Sequence, residues 1–185
     1  MVQNLLAEAG ICLAQCDALA FGVGPGSFTG VRTACGVVQG LAFGANLPVL
    51  PVGTLLAMAQ ACYELHGAEQ VLAILDARMG EVYWAQYRYV DEVWQVIIEP
   101  SLSLPSHVVG QFSDQLQVCG NGLCAYSEAF MTMSNRWPLV MPHARQIAQL
   151  GSVALRQGKA VDAQQAQPFY LRNKVALTSL ERAQR

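Results

Sequence analysis

The chain has 185 residues and a formal net charge of −2, with 53% hydrophobic and only 13% charged residues. This length can build one domain or two small lobes. The few Lys and Arg residues are scattered, which argues against a protein that grips nucleic acid by itself, because such proteins carry a basic face. Without a continuous apolar stretch of ~18–20 residues or a signal peptide, the chain is expected to be cytoplasmic and not to enter a membrane.

The first part of the chain predicts alternating helices and strands. The expected elements are a helix to about Ala9, a strand near Ala18–Val23, a helix from about Phe28 to Ala45, a strand at Val49–Val52 and a helix at Thr54–His66. Thr54 is the expected N-terminal cap of the last helix, because its hydroxyl can accept a hydrogen bond from the first turn.

The second part predicts more strands. The expected elements are strands at Val71–Asp76, Glu81–Val90 and Glu92–Ile98, a helix over Pro105–Phe112, a strand at Leu116–Cys119, a helix after Gly122 and a last helix at Pro142–Gln157. A tight turn at Asp91 joins two of these strands. Strands mixed with helices in this order predict a layered α/β fold.

A glycine-rich turn between the first strand and the second helix is the most informative segment. Residues 24–32 read G-P-G-S-F-T-G-V-R, and glycine allows a sharp turn and a close approach of another molecule. Ser27 or Thr29 can cap the helix that follows. The turn lacks the G-K-[ST] ending of a phosphate-binding loop, so we expect it to orient the helix rather than to bind a nucleotide.

Three glycines recur every four residues in the helix expected at 28–45. Gly36, Gly40 and Gly44 therefore lie along one face, which drifts slowly around the helix. Each costs ~1 kcal/mol relative to alanine, and close approach of another backbone is the usual compensation. The pattern leaves two contacts open, one with another part of this chain and one with a helix of a partner protein.

The isolated charges suggest ion pairs. Arg32 is the only basic residue among the first 63, and we expect it to form a buried or interfacial ion pair. Asp76, Arg78 and Glu81 lie close together in sequence and are expected to form a local ion pair that orders a hairpin. The alternative for these three residues is contact with a nucleotide or with the carboxylates of a partner.

The histidines do not predict a catalytic metal site. His66, His107 and His143 are far apart, and none belongs to an H-x-x-x-H or H-E-x-x-H motif. The six cysteines contain no C-x-x-C pair and no zinc-finger spacing to a histidine. A nucleophile elbow of the G-x-S-x-G type is also missing from the sequence.

Four segments resemble the TsaB family, also called YeaZ. They are the turn at 24–32, Asp76-Ala-Arg-Met-Gly-Glu-Val-Tyr83, Gly120-Asn-Gly122 and Pro168-Phe-Tyr-Leu-Arg-Asn173. The motifs follow in family order over nearly the whole chain. The resemblance implies the two-lobed fold of actin, Hsp70 and sugar kinases (the ASKHA fold), with a first lobe at 1–68 and a second lobe at 69–185.

The start of the chain departs from that family. Its members open with three strands before the first helix, whereas Met1 already stands within what reads as that helix. Three strands with turns take roughly 30–45 residues, so the first lobe is expected to be incomplete, and we expect a sequence that begins late. The strand at 18–23 would then expose an unpaired edge, which favours aggregation.

The resemblance implies a non-catalytic subunit that binds the transferase TsaD and supports threonylcarbamoylation of adenosine 37 in tRNA. It also implies an ATPase partner, TsaE, and contact with tRNA only through the complex. The chain alone is expected to bind no cofactor, with room for ATP or ADP at the interface with TsaD, and a homodimer can replace the heterodimer. An actin-like ATPase or phosphotransferase stays open, and less readily a metallopeptidase.

The resemblance assigns the partner contact to the first two helices. The expected interface residues are Leu5, Leu6, Gly30, Arg32, Thr33, Gly36, Val37, Gly40, Leu41 and Gly44. The expected signature turn consists of Gly24, Pro25, Gly26, Ser27, Phe28 and Thr29, and the expected inter-lobe group of Asp76, Arg78 and Glu81.

Overall fold

The computed structural model describes residues 2–108, 113 and 115–172. The α-helices are α1 Val2–Ala9, α2 Phe28–Ala45, α3 Thr54–His66, α4 Gly122–Ala125 and α5 Ala144–Arg156. The strands are β1 Leu19–Gly24, β2 Val49–Gly53, β3 Gln70–Asp76, β4 Val82–Val90, β5 Val93–Ser103, β6 Leu116–Cys119 and β7 Arg136–Trp137. These elements confirm the expected α/β class.

The first sheet consists of β1 and β2 in parallel, with helices on both faces. Because alternate side chains of a strand point to opposite faces, Phe21 of β1 packs under α2 while Ala20 packs against α5. Gly151 makes that second contact possible, since a Cβ there would lie 2.6 Å from the Cβ of Ala20. Within the described residues, no strand pairs with the other edge of β1.

The second sheet has five strands in the order β5-β4-β3-β6-β7. β3, β4 and β5 are antiparallel neighbours, whereas β6 runs parallel to β3 and β7 parallel to β6. α3 packs on one face of this sheet through Met58 and Cys62, and α4 covers the other through Leu123. α3 also contacts β1 and β2, so it lies between the two sheets.

Two helices have the predicted bounds, and two other predictions were wrong in detail. α2 and α3 begin and end where expected. Thr54 is the first helical residue of α3 rather than its cap. The cap is Gly53, so no side chain accepts a hydrogen bond at this end of the helix. β5 continues past the predicted end at Ile98 to Ser103, which pairs with Val82. The interruption at Pro100 is tolerated because β5 is an edge strand.

The region after β5 is less helical than predicted. Pro105–His107 is a single 3-10 turn, and the rest of the predicted helix to Phe112 falls mostly on residues 109–112, which lie outside the described residues. The helix after Gly122 is only four residues long and is followed by a 3-10 turn at Ser127–Phe130. β7 escaped prediction because a two-residue strand has no detectable periodicity.

A carboxylate joins α3 to α5. Glu64 accepts hydrogen bonds from Nε2 of Gln60 at 3.0 Å and from Nε2 of Gln146 at 2.6 Å. Partial burial acts to raise the pKa of Glu64, but the hydrogen bonds from the two glutamines lower it, and the net pKa lies below its ordinary value.

The depressed pKa of Glu64 predicts a specific pH dependence of stability. An unfolded glutamate titrates at about pH 4.3, and a folded pKa below that value adds stability that is complete above the unfolded pKa. This contribution is lost as the pH falls through the folded pKa. Urea unfolding from pH 3 to 7 should therefore show a difference between wild type and Glu64→Gln that shrinks in acid. The exposed Glu69→Gln variant is the control, and a difference independent of pH would contradict the prediction.

Candidate functional site

The signature turn connects β1 to α2 through a tightly packed glycine. Gly24 has φ +114°, and a Cβ there would lie 2.7 Å from the carbonyl oxygen of Phe169. Ser27 caps α2, with its Oγ accepting a hydrogen bond from the backbone N–H of Gly30 at 3.4 Å. The turn therefore fixes the direction in which α2 leaves the sheet, as expected, and it does so against a distant part of the chain.

That distant part is residues 166–172, which we call the strap. The carbonyl oxygen of Ala166 accepts hydrogen bonds from Nε2 of Gln39 at 2.7 Å and from Sγ of Cys35 at 3.2 Å, both on α2. The backbone N–H of Phe169 donates to the carbonyl oxygen of Val23 at 2.8 Å. The strap is thus bonded to both α2 and the end of β1.

The end of the strap binds the second sheet. The guanidinium of Arg172 forms an ion pair with Glu81 and donates to Sδ of Met79 at 2.9 Å and to the carbonyl oxygen of Arg78 at 3.4 Å. The Arg172 side chain is 13% exposed and that of Glu81 is 32% exposed, so the arginine is largely withdrawn from water while the carboxylate stays partly accessible. The strap therefore connects the signature turn to the loop between β3 and β4.

The inter-lobe group forms only part of the predicted ion pair. Asp76 pairs with Arg78 at 3.1 Å, as expected for a local pair that orders the loop, and its Oδ1 accepts from the Tyr126 hydroxyl at 3.1 Å. Burial raises the pKa of Tyr126, and the hydrogen bond to the Asp76 carboxylate raises it further. Glu81 does not join the local pair, because Arg172 is its partner. Glu81 and Arg172 are 91 positions apart in the sequence, and for that reason their pairing was not predicted.

A cleft of about 520 Å³ lies between the signature turn, the loop after β3 and the strap. Asp76 borders it, but hydrogen bonds and the ion pair with Arg78 already engage this carboxylate. The described residues contain no group of three His, Cys, Asp or Glu side chains that could hold a metal ion. None of the helices in those residues has the length and apolarity needed to cross a membrane.

Arg32 has a different environment from the one predicted. It forms no ion pair with a described residue, so the buried alternative was wrong for that part of the chain, and the interfacial alternative stays a prediction. Its guanidinium instead stacks on the ring of Phe28, with Cζ 3.7 Å from the ring centroid, and its Nε donates to the hydroxyl of Tyr170 at 2.8 Å. Sequence reasoning missed Tyr170, whose only signal was its place in the closing motif at 168–173.

The glycine face of α2 is open. A Cβ at Gly36, Gly40 or Gly44 would meet no atom within 4 Å, so packing against a described part of this chain, one of the two predicted alternatives, was wrong. On the same helix Val37 is 50% exposed and Phe43 is 75% exposed. The α2 residues expected at the interface therefore form a mainly exposed, apolar face without a partner in the described residues.

The other expected interface residues are also accessible. α1 has no buried residue, with Leu5 59% exposed and Leu6 half-buried. On α2, Gly30 and Thr33 are exposed, whereas Leu41 is half-buried. Burial also varies along the signature turn. Gly24 and Pro25 are buried, and the residues that follow them are increasingly exposed.

Comparisons with known proteins agree with the expected family. A family model described as "TsaD: tRNA N6-adenosine threonylcarbamoyltransferase" matches residues 1–179. A protein of Haemophilus influenzae, tRNA threonylcarbamoyladenosine biosynthesis protein TsaB, is 42% identical over 97% of this chain and 80% of its own length. The Escherichia coli protein of the same name is 38% identical over 97% of this chain and 81% of its own length.

Two solved structures from Pseudomonas aeruginosa share the fold. YeaZ has a TM-score of 0.87 at 41% identity, covering 92% of this chain and 82% of its own. An uncharacterized protein described as similar to peptidase YEAZ has a TM-score of 0.88 at 41% identity, covering 93% of this chain and 81% of its own. The family model over residues 1–179 and the relatives that are 42% and 38% identical over 97% of this chain show that it belongs to the TsaB (YeaZ) family.

Proposed function

We propose that this chain is a non-catalytic subunit that binds a TsaD-type transferase and supports formation of threonylcarbamoyladenosine in tRNA. The observation that carries the proposal is the empty space beside Gly36, Gly40 and Gly44. Relatives that are 42% and 38% identical bear the name tRNA threonylcarbamoyladenosine biosynthesis protein TsaB, which supports the process but leaves the partner to be tested.

The energetics of α2 favour a partner protein. Three glycines inside a helix cost about 3 kcal/mol relative to alanines, and no contact within the described residues compensates. A second helix laid along this face could approach closely enough to gain packing and weak Cα–H···O contacts. Burial of Val37 and Phe43 would add hydrophobic stabilisation of about 1.5–3 kcal/mol for each side chain that becomes fully covered.

The chemistry of modification would then reside in the partner. In this chain, the three histidines lie in separate elements or turns, which does not suit the paired helical histidines expected of a TsaD-type metal site. Our proposal includes a TsaE-type ATPase as a further partner, ATP or ADP at the interface rather than on this chain alone, and contact with tRNA through the complex. A homodimer through the same face and a cytoplasmic location are part of the proposal.

One observation favours a second candidate function. The cleft of about 520 Å³ bordered by Asp76 is large enough for a small ligand, as an actin-like ATPase or phosphotransferase would require. The engagement of Asp76 by Arg78 and Tyr126 argues against it, because this carboxylate would have to be released before it could bind a magnesium ion. Turnover of ATP by the isolated chain would support this candidate.

The test of the scaffold is complex formation measured by size-exclusion chromatography with light scattering. Wild type mixed with the TsaD-type subunit should elute as a stoichiometric complex, and Gly40→Leu should abolish it because the added side chain blocks close approach. Gly40→Ala controls for the change of residue, and Ser152→Leu, at an exposed position of α5, controls for an added leucine. Equal binding by wild type and Gly40→Leu would reject the proposed interface, and no binding by wild type would reject the proposed function.

A further inference from the structure

Arg32 has its guanidinium held in place while one edge of the group stays free. The Cζ lies 3.7 Å from the ring centroid of Phe28 and 5.7 Å from that of Tyr170, and the Nε donates to the Tyr170 hydroxyl. No described residue accepts a hydrogen bond from Nη1 or Nη2. The free edge is the Nη1–Nη2 pair, which has the fork geometry that binds a carboxylate through two parallel hydrogen bonds.

The position of Arg32 connects it to the open face of α2. Arg32 lies one helical turn before Gly36, so it stands at the end of the glycine stripe. Phe28 and Tyr170, whose rings lie beside the guanidinium, are 38% and 42% exposed. A helix packed along the stripe would therefore reach this cation and withdraw it, with its two rings, from water.

Covering Arg32 without a negative group would be strongly unfavourable, because a charge removed from water needs a partner. No acidic side chain among residues 2–108, 113 and 115–172 forms an ion pair with Arg32. α2 contains no acidic residue, and the only acidic residues among the first 63 are Glu8 and Asp17. Neither of them pairs with Arg32. Since the described residues supply no counter-charge, a molecule that covers α2 is the natural source of one.

We propose that the TsaD-type subunit, docked on α2, presents an Asp or Glu carboxylate that binds the Nη1–Nη2 edge of Arg32. This inference rests on the proposed function and names the chemistry of its interface. A carboxylate suits the site better than a phosphate, because the groups that contact Arg32 are the two aromatic side chains of Phe28 and Tyr170 rather than a second cation. A phosphate carries nearly two charges and is usually bound by several donors.

Tyr170 acts as a positioning residue in this proposal. Its hydroxyl accepts a hydrogen bond from Nε of Arg32, and its ring centroid lies 5.8 Å from that of Phe28. The guanidinium is therefore ordered before the partner arrives. Ordering a long side chain in advance reduces the entropy lost on binding. Arginine and tyrosine are also among the residues enriched at the energetic centres of interfaces.

The experiment measures the dissociation constant of the purified full chain and the TsaD-type subunit by titration calorimetry. Arg32→Met keeps the length of the side chain and removes its charge, and we expect affinity to fall by about 30-fold or more, as for a broken interfacial charge pair. Arg32→Lys keeps the charge but not the fork and should fall in between. Tyr170→Phe should weaken wild type a few-fold and have no effect in the Arg32→Met background, a difference that a merely structural role would not produce.

The source of the carboxylate is found by charge reversal. Arg32→Glu should abolish binding, and one Asp→Arg or Glu→Arg variant of the TsaD-type subunit should restore it. Binding of Arg32→Met within about threefold of wild type, while Gly40→Leu still abolishes the complex, overturns this inference alone. No binding by wild type overturns the proposed function and this inference with it.

Two further outcomes assign another occupant and also overturn the inference. If Arg32→Met weakens the complex only when ADP is present, the free edge binds a phosphate. If Arg32→Met weakens self-association and leaves the affinity for the TsaD-type subunit unchanged, the carboxylate belongs to a second copy of this chain. Equal thermal unfolding of wild type and Arg32→Met is the control that the fold is intact.

Discussion

Gly120→Ala should lower the free energy of unfolding by about 3–5 kcal/mol, a large part of the 5–15 kcal/mol typical of a folded protein. Gly120 follows β6 with φ +110°, a backbone conformation that alanine rarely adopts. A Cβ at this position would overlap the carbonyl oxygen of Ile74 in β3 and Cε of Met58 in α3. The methionine can move, but the carbonyl belongs to the centre of the sheet and cannot.

A matched variant separates the two causes. Gly67 also has a positive φ, +65°, but a Cβ there would meet no atom within 4 Å. Gly67→Ala should therefore cost only about 1–2 kcal/mol, from the backbone conformation alone. Urea unfolding followed by circular dichroism measures both variants. If Gly120→Ala were no more destabilised than Gly67→Ala, the close packing of the turn after β6 against β3 would be refuted.

Gly24→Ala is the second substitution with a large expected effect, about 2–4 kcal/mol. Its φ of +114° disfavours alanine, and the new Cβ would lie 2.7 Å from the carbonyl oxygen of Phe169. The least costly response is displacement of the strap, which breaks the hydrogen bond from the Phe169 N–H to Val23. We therefore expect faster amide exchange at Phe169 in addition to the loss of stability.

The control for Gly24→Ala stands two residues away. A Cβ at Gly26 would lie 3.4 Å from a methyl group of Val31, a distance of ordinary contact, and Gly26 has no positive φ. Gly26→Ala should leave both the stability and the exchange of Phe169 close to those of wild type. Slow exchange at Phe169 in the Gly24→Ala variant would mean that the strap does not depend on this glycine.

Local patterns in the sequence were sufficient for most of the fold. Local helix signals placed α2 and α3 at their observed bounds, because these signals lie within or next to the elements, although only α2 has a predicted residue, Ser27, as its cap. The spacing of Gly36, Gly40 and Gly44 identified one helix face, but it could not distinguish an intrachain contact from a free surface. Only the positions of the other elements show that this face is uncovered.

Pairings between distant residues were not predictable from one sequence. Arg32 and Tyr170 are 138 positions apart, and Glu81 and Arg172 are 91 apart. Periodicity reports which side of an element is buried, but not which side chain of a later segment meets it. For this reason the sequence did not predict the contacts that Arg32 makes within the chain, which are with a hydroxyl and two aromatic rings, whereas an interfacial ion pair stays a prediction.

The return of the chain to its first sheet has a consequence for biosynthesis. β1 and β2 leave the ribosome early, but α5, which covers one of their faces, and the strap, which holds α2, begin at residues 144 and 166. Val161, which bridges to Val49, is also made late. The nascent first sheet must therefore wait, with apolar side chains uncovered, until translation has passed residue 166. Nonsense products that stop before residue 144 should consequently be substrates for chaperones and proteases rather than folded half-proteins.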